Sequence, residues 1–421
     1  MGSGLKPGLL NVYLNTGPRV HGWVQRALAA VSPQRRAVEL YWSAACPYSA
    51  VMAQQLHRMT AGSDVVVRVL PVPLGAEDVN PAPGLREGHG PRDCASLAAF
   101  YDVAFPAAWS MPSADMVARA NAIVAKAPSL DTCVAVSAPL WEGDGRALEG
   151  MASASPGETE GLLAANAAKQ RAGGHYHPGS VRYHGEWFEG PMRMPLVGER
   201  LRAAGHSVGE ALTARAAPLF SPAPAGTPLE LWFSFRSPYS YLAVAQLQRW
   251  RDAGDAFEIV LRPLLPMVMR GLAVPTTKKL YLVKDSAREA RRLGIPFGRI
   301  ADPVGAGAER CLAVCAELGA DPRRAFDFAV SAARGIWSEG HDVATERGMW
   351  AVAERAGVTR DELGRALANM AAGAALAEAN RIALAEELGL WGVPSYRVGA
   401  WVSWGQDRLP LVRHALGLAR R

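Results

Sequence analysis

Residues 229–250 read LELWFSFRSPYSYLAVAQLQRW, and residues 38–59 read VELYWSAACPYSAVMAQQLHRM. The two stretches lie 191 positions apart and share Glu39/Glu230, Leu40/Leu231, Ser43/Ser234, the Pro-Tyr-Ser triplet, Gln55/Gln246, Leu56/Leu247 and Arg58/Arg249. Each opens as an apolar run, breaks at a short loop and resumes at Pro47 or Pro238. Proline in the first turn of a helix forfeits only an N–H that has no partner there, and Ser237 before Pro238 suits an N-cap. Each stretch therefore predicts a strand followed by a helix. Second apolar runs follow at Val65–Val72 and Phe257–Leu265. Strand, helix and strand at this spacing make a βαβ unit with parallel pairing.

Two more matches recur in the same order. EWFEGPMRMPLV (Glu186–Val197) parallels WVSWGQDRLPLV (Trp401–Val412), and LWEGDG (Leu140–Gly145) resembles IWSEGHD (Ile336–Asp342). An ordered set of self-matches is the signature of an internal repeat. The chain reads as a tandem duplication: an N-terminal extension at 1–36, a first copy at 37–215, a linker at 216–228 and a second copy at 229–421. The Ala/Pro/Gly composition of AAPLFSPAPAGTP (Ala216–Pro228) suits a stiff, extended linker. In the second copy a long helical region occupies about Thr277–Leu388, and GVPSYRVGAWVSW then reads as two short strands around a turn at Gly399. A last helix starts at Gln406-Asp407. The order is βαβ, helical insert, ββα.

Composition narrows the function classes. The 421 residues are 49% hydrophobic and 20% charged, which excludes global disorder and suits two or three domains. No run of about 18 apolar residues occurs, so no spanning helix is expected. The first residues, MGSGLKPGLLNVYLNTGP, lack the charged start and apolar core of an export signal, and the expected location is the cytoplasm. The net charge is +6 and the pI about 9.2, yet only six of the 45 basic residues are lysine and the arginines are scattered. A nucleic-acid footprint needs a clustered basic stripe, so neither nucleic acid nor membrane is an expected partner. The five cysteines, Cys46, Cys94, Cys133, Cys311 and Cys315, show no CxxC or zinc-like spacing, and no metal is expected.

The predicted order is that of a thioredoxin fold carrying a helical insert, which gives an α/β protein of two thioredoxin-like domains. The second copy resembles the 2-hydroxychromene-2-carboxylate isomerase and kappa-class glutathione transferase family, within the wider DsbA-like group. The segments that carry the resemblance are FSFRSPYSYLA (Phe233–Ala243), KKLYLVKDSAREARRLGIPF (Lys278–Phe297), AFDFAVSAARGIWSEGHDV (Ala325–Val343), GVPSYRVG (Gly392–Gly399) and WGQDRL (Trp404–Leu409). The resemblance implies glutathione as cofactor and a small-molecule substrate, an unsaturated aromatic-derived oxo acid. It places Ser237 beside the glutathione sulfur as the catalytic residue, with Arg236 adding positive charge. It gives Val393-Pro394 the role of a cis-proline dipeptide that pairs with the cysteinyl backbone. Gln406 and Asp407 hold the γ-glutamyl end, and Lys278 reaches a glutathione carboxylate. The physics of Ser237 agrees: a hydroxyl cannot form a disulfide, but at a helix N-terminus it donates to a thiolate in a favourable potential. The neighbouring Trp391, Trp401 and Trp404 are candidates to line a substrate pocket or to pack the core.

The first copy departs from that pattern. Cys46 replaces the serine, His177-Pro178 stands where Val-Pro is expected, and Pro191-Met192 replaces Gln-Asp. A glutathione site is not expected there. Cys46 sits in CPYS, with Ser49 where the second cysteine of a DsbA-like CxxC would stand, so a mixed disulfide formed at Cys46 would lack an internal resolving thiol. The alternatives to a glutathione-dependent isomerase or transferase are a DsbA-like thiol–disulfide oxidoreductase using Cys46 and a non-catalytic glutathione- or peptide-binding protein. The oligomeric state stays open, an intramolecular pseudo-dimer of the two copies being one arrangement.

Overall fold

The structure is a computed structural model that describes residues 37–75 and 82–419. The expected N-terminal extension lies outside the described residues. The chain divides into two compact units. Among the described residues, the first takes those from 37 to 220 together with Pro275–Tyr281; the second takes Ser221–Val274 and the residues from Leu282 onward. The division falls inside the expected linker. Each side of that stretch is docked on its own unit, Leu219 N donating to Ala99 O at 2.7 Å and Ala223 N to Ala415 O at 2.8 Å, so it is no free-standing spacer.

In the first unit, strand β1 (Val38–Trp42) is buried along its whole length at the centre of the sheet, and its one charged residue, Glu39, is paired with Lys169 at 2.6 Å. Helix α1 (Pro47–Thr60) leads to β2 (Val67–Pro71), which pairs parallel with β1. The insert comprises α2 (Pro83–Phe100), α3 (Ala114–Lys126), α4 (Leu130–Glu142), one turn at Arg146–Glu149, and α5 (Pro156–Ala172). Ser113, Ser129 and Ser155 cap three of these helices with their hydroxyls. The hairpin β3 (Ser180–Tyr183) and β4 (Glu186–Glu189) completes a sheet of order β2-β1-β3-β4, and a 3-10 turn at Pro191–Arg193 opens α6 (Met194–Ala203). Trp42, Trp141 and Phe188 are fully enclosed in its core, each aromatic side chain worth roughly 1.5–3 kcal/mol by burial.

The second unit repeats that plan. Strand β5 (Leu229–Phe233), α7 (Pro238–Asp252) and β6 (Ile259–Pro263) form the parallel βαβ unit. A 3-10 turn at Met267–Arg270 precedes α8 (Thr276–Arg292). Helices α9 (Ala306–Glu317), α10 (Pro322–Arg334), α11 (Glu346–Arg355), α12 (Arg360–Ala368) and α13 (Met370–Glu386) follow. The hairpin β7 (Ser395–Val398) and β8 (Trp401–Trp404), turning at Gly399 with φ +59°, gives the sheet order β6-β5-β7-β8. The expected last helix starts three residues late: Gln406–Arg408 form a 3-10 turn and α14 spans Leu409–Ala415.

Corresponding side chains make the same hydrogen bonds inside each unit. Ser49 Oγ accepts from Ser43 N at 3.1 Å, as Ser240 Oγ does from Ser234 N at 3.4 Å. Tyr48 donates to Asp93 at 2.9 Å and Tyr239 to Asp285 at 2.7 Å. Asn166 holds Pro71 O and Asn380 holds Pro263 O, at 2.9 and 3.0 Å.

The strand register corrects one expectation. Tyr41 pairs with Ser180, and Trp232, its counterpart 191 residues on, pairs with Ser395. Pro394 therefore corresponds to Gly179, one residue beyond His177-Pro178. Val393-Pro394 is the cis peptide bond among the described residues. Gly179 has φ +66°, and a Cβ there would lie 3.2 Å from Cys46 Sγ and from Tyr48 Cβ. Both conformation and space require glycine.

Candidate functional site

Helix α7 starts where β5 ends, which aims its N-terminus across the sheet end at the loop before β7. Ser237 occupies the N-cap in extended conformation, and its Oγ accepts from Ser240 N at 3.1 Å. With the oxygen used as acceptor, the hydroxyl proton is left to donate. Its acceptor is Val393 O at 3.5 Å, a separation at which a hydrogen bond contributes little. Pro394 follows, and its carbonyl accepts from Gly405 N at 2.9 Å, which draws the turn Gln406–Arg408 to the same place. Ser237, Val393, Pro394, Gln406 and Asp407 thus converge, although they come from three separate parts of the sequence.

Gln406 is buried, with its Nε2 3.4 Å from Glu289 Oε2. Asp407 is one-fifth exposed and meets Arg408 at 2.9 Å. Beneath them Tyr396 is fully enclosed, and burial, reinforced by the Asp407 charge, pushes its phenol well above the ordinary value and keeps it neutral. Arg236 is engaged by Asp302 in a bidentate pair of 2.6 and 2.7 Å, so its charge is already matched. The sequence reading did not single out Asp302. Its only sequence signal is an acid on the loop between α8 and α9, which carries no positional information.

Lys278 is assigned to the other unit. It lies in Pro275–Tyr281, which belongs with the first unit, and is only 7% exposed. The cause is Tyr281, whose ring enters the cluster of Tyr41, Val72, Tyr176 and Trp187 and whose hydroxyl accepts from Glu189 N at 3.0 Å. Two of the three tryptophans, Trp391 and Trp404, pack on one another. Trp391 and Trp404 meet edge to face at 5.1 Å, and Gly392 lies directly under the Trp404 ring, where a side chain has no room.

In the first unit Cys46 takes the N-cap of α1 without a side-chain capping bond. It is 2% exposed, closed over by Gly179. A thiol so covered is poorly placed for exchange, which requires access to the attacking sulfur. Pro191, at the position of Gln406, has no N–H to offer a ligand.

Other chemistry is sparse among the described residues. No group of three or more His, Cys, Asp and Glu side chains is arranged to hold a metal ion, and no helix is long and apolar enough to cross a membrane. A recess of about 510 Å³ lies at the C-terminal end of α7, lined by Arg251, Asp255 and Arg323 among others. A 15-residue helix is about 22 Å long, so this recess is remote from Ser237.

Residues 228–417 match the family described as DSBA-like thioredoxin domain. This segment is a DsbA-like thioredoxin domain. No curated protein matches the chain in sequence. Among solved structures, a 2-hydroxychromene-2-carboxylate isomerase is similar at 26% identity, covering 45% of this chain and 94% of its own, with a TM-score of 0.37. A probable DsbA oxidoreductase from Streptomyces coelicolor is similar at 19% identity, covering 46% and 92%, with a TM-score of 0.36. The cytosolic disulfide reductase DsbM from Pseudomonas aeruginosa, solved with GSH, is similar at 16% identity, covering 42% and 88%, with a TM-score of 0.34. At the N-cap of α7 this domain presents the Ser237 hydroxyl, which offers no sulfur for disulfide chemistry.

Proposed function

We propose that the DsbA-like domain holds glutathione and serves an isomerase or transferase reaction on an unsaturated, aromatic-derived oxo acid, and that the chain arose by tandem duplication with the site kept in the second copy. The observation that carries the reading is the Ser237 hydroxyl, fixed by Ser240 N but donating only across 3.5 Å to Val393 O. An anion above α7 is the better acceptor for that proton, and the helix dipole adds favourable potential. Bound glutathione supplies a thiolate that adds reversibly to a conjugated carbon. Ser237 holds the thiolate by its O–H, the Val393 backbone aligns the cysteinyl unit, and the Gln406–Arg408 turn receives the γ-glutamyl end. Asp407 is the partner for the ammonium group. The two matching sheets and the matched hydrogen bonds of Ser49/Ser240 and Asn166/Asn380 support the duplication.

Calorimetric titration with glutathione tests the reading. The intact chain is expected to bind one equivalent, because the first unit offers Pro191 and Met192 where the second offers Gln406 and Asp407. Asp407→Ala should weaken binding by about tenfold or more, the loss expected when a buried ammonium forfeits its charged partner. Two equivalents, or full-strength binding in that variant, would show the assignment to be wrong.

A redox assay separates the competing oxidoreductase reading. With Cys46 enclosed and Ser237 in the other loop, insulin reduction should stay at background. Turnover that disappears in Cys46→Ser would promote thiol–disulfide exchange over the present reading.

A further inference from the structure

Arg270 closes the 3-10 turn that follows β6. Its Nη2 donates to Trp391 O at 3.2 Å, while its Nε is buried and makes no hydrogen bond. Arg236, Arg262, Arg397 and Arg413 in the same unit each have a carboxylate against them. Arg270 has none among the described residues. The charge acting on it is a like charge, Arg381, which is itself paired with Glu378. Burial, with Arg381 adding repulsion, pulls Arg270 down to about 10, which still leaves it cationic at neutral pH. A desolvated cation lacking a counter-ion is unfavourable in the protein alone and becomes favourable when a ligand brings the anion.

Its position ties it to the Ser237 site through a closed circuit of contacts. Arg270 holds Trp391 O, two residues before Val393. Val393 O faces Ser237 Oγ. Arg236, next to Ser237, is clamped by Asp302, whose Oδ1 also accepts from Val304 N. Gly305 N then meets the Met269 sulfur at 3.3 Å, which returns the circuit to Arg270. The Ser237 hydroxyl and the Arg270 guanidinium are thus members of one frame. The acidic side of that frame, Asp302, is already spent on Arg236.

We propose that Arg270 is the specificity-determining cation of this site and receives the carboxylate of an acidic substrate. The assignment rests on the glutathione reading for the second reactant, but Arg270 itself needs only a carboxylate-bearing ligand. A carboxylate could also come from glutathione, and the experiment keeps the two sources apart.

The probes are cinnamate, its neutral analogue cinnamamide, and glutathione, each titrated separately into the full chain and into Arg270→Gln and Arg270→Lys. The wild type should bind cinnamate about tenfold more tightly than cinnamamide. Arg270→Gln should lose that preference and keep its glutathione affinity. Arg270→Lys, which retains a charge but not the fork of donors, should keep part of the preference, and this arm decides the matter if the glutamine variant does not fold. No preference in the wild type, or an undiminished preference in either variant, overturns the proposal. So does a tenfold loss of glutathione affinity in Arg270→Gln with the cinnamate preference intact, since that assigns the cation to glutathione. A wild type that binds cinnamate selectively and glutathione not at all would sink the glutathione reading alone.

Discussion

Ser237→Ala should raise the pKa of bound glutathione and lower turnover by roughly 10- to 150-fold, the effect of losing one charge-assisted hydrogen bond worth about 1.5–3 kcal/mol. The ultraviolet band of the thiolate, followed against pH in the presence of the protein, reads the first quantity. Conjugation of glutathione to an activated aryl chloride reads the second. The same hydroxyl caps α7, so the variant should also lose about 1 kcal/mol of stability. Affinity distinguishes the two consequences. On the proposed reading glutathione is held mainly through Val393, Gln406 and Asp407, so its binding should be largely kept, whereas general damage to the helix end would weaken it together with the rate. Ser237→Thr retains a hydroxyl at the N-cap and should recover much of the activity. An alanine variant as active as the wild type would remove Ser237 from the chemistry.

The second large effect concerns packing. Helix α13 crosses α9 at Gly373, where an added Cβ would lie 2.5 Å from Ala313 N and 2.8 Å from Leu312 C. Both obstacles are backbone, which cannot swing aside as a side chain can. Gly373→Ala gains about 1 kcal/mol of helix propensity and loses more to the clash; Gly373→Val, larger still, should cost about 3 kcal/mol, at the upper end of overpacking penalties. For a domain of this size that is a fall in Tm of about 6–12 °C. Gly364 on α12 is the control, since nothing stands within 4 Å of its added Cβ. Gly364→Ala should stabilise by up to about 1 kcal/mol. The two glycine-to-alanine changes should therefore move Tm in opposite directions, and calorimetric melting of both checks it.

What was legible in the sequence follows from how local each signal is. The strands at Val38 and Leu229 are apolar runs broken only by Glu39 and Glu230, and the helices after them are announced by proline in the first turn, so both βαβ units and the Ser237 N-cap could be read from residues close together. Pro394 and the Gln406–Arg408 turn were found through flanking motifs. Read linearly, the counterpart of Pro394 is Pro178, one residue before Gly179, because a proline suggests a proline. Only the pairing of Tyr41 with Ser180 fixes the register, and pairing across a sheet is invisible in a linear reading. Lys278 looked like part of the second-half site because it precedes Tyr281 at the right spacing. Its membership is decided by the aromatic cluster that Tyr281 enters, built from residues more than 90 positions away. Arg270 was passed over for a different reason. Its distinguishing property is a missing counter-ion, and a sequence shows which acids exist but not which are absent from a given neighbourhood.

The placement of Pro275–Tyr281 also bears on how this gene can be divided. An expression boundary drawn at Phe220, where the polypeptide passes from one unit to the next, would leave the N-terminal product without the phenol ring that fills its aromatic cluster and satisfies Glu189 N. The C-terminal product would begin α8 with a buried lysine and tyrosine stripped of their surroundings. Duplicated copies are commonly regarded as interchangeable modules that can be cloned, shuffled or deleted one at a time. Here seven residues from late in the sequence belong to the earlier unit, so neither unit is one continuous stretch of chain that a single cut could release.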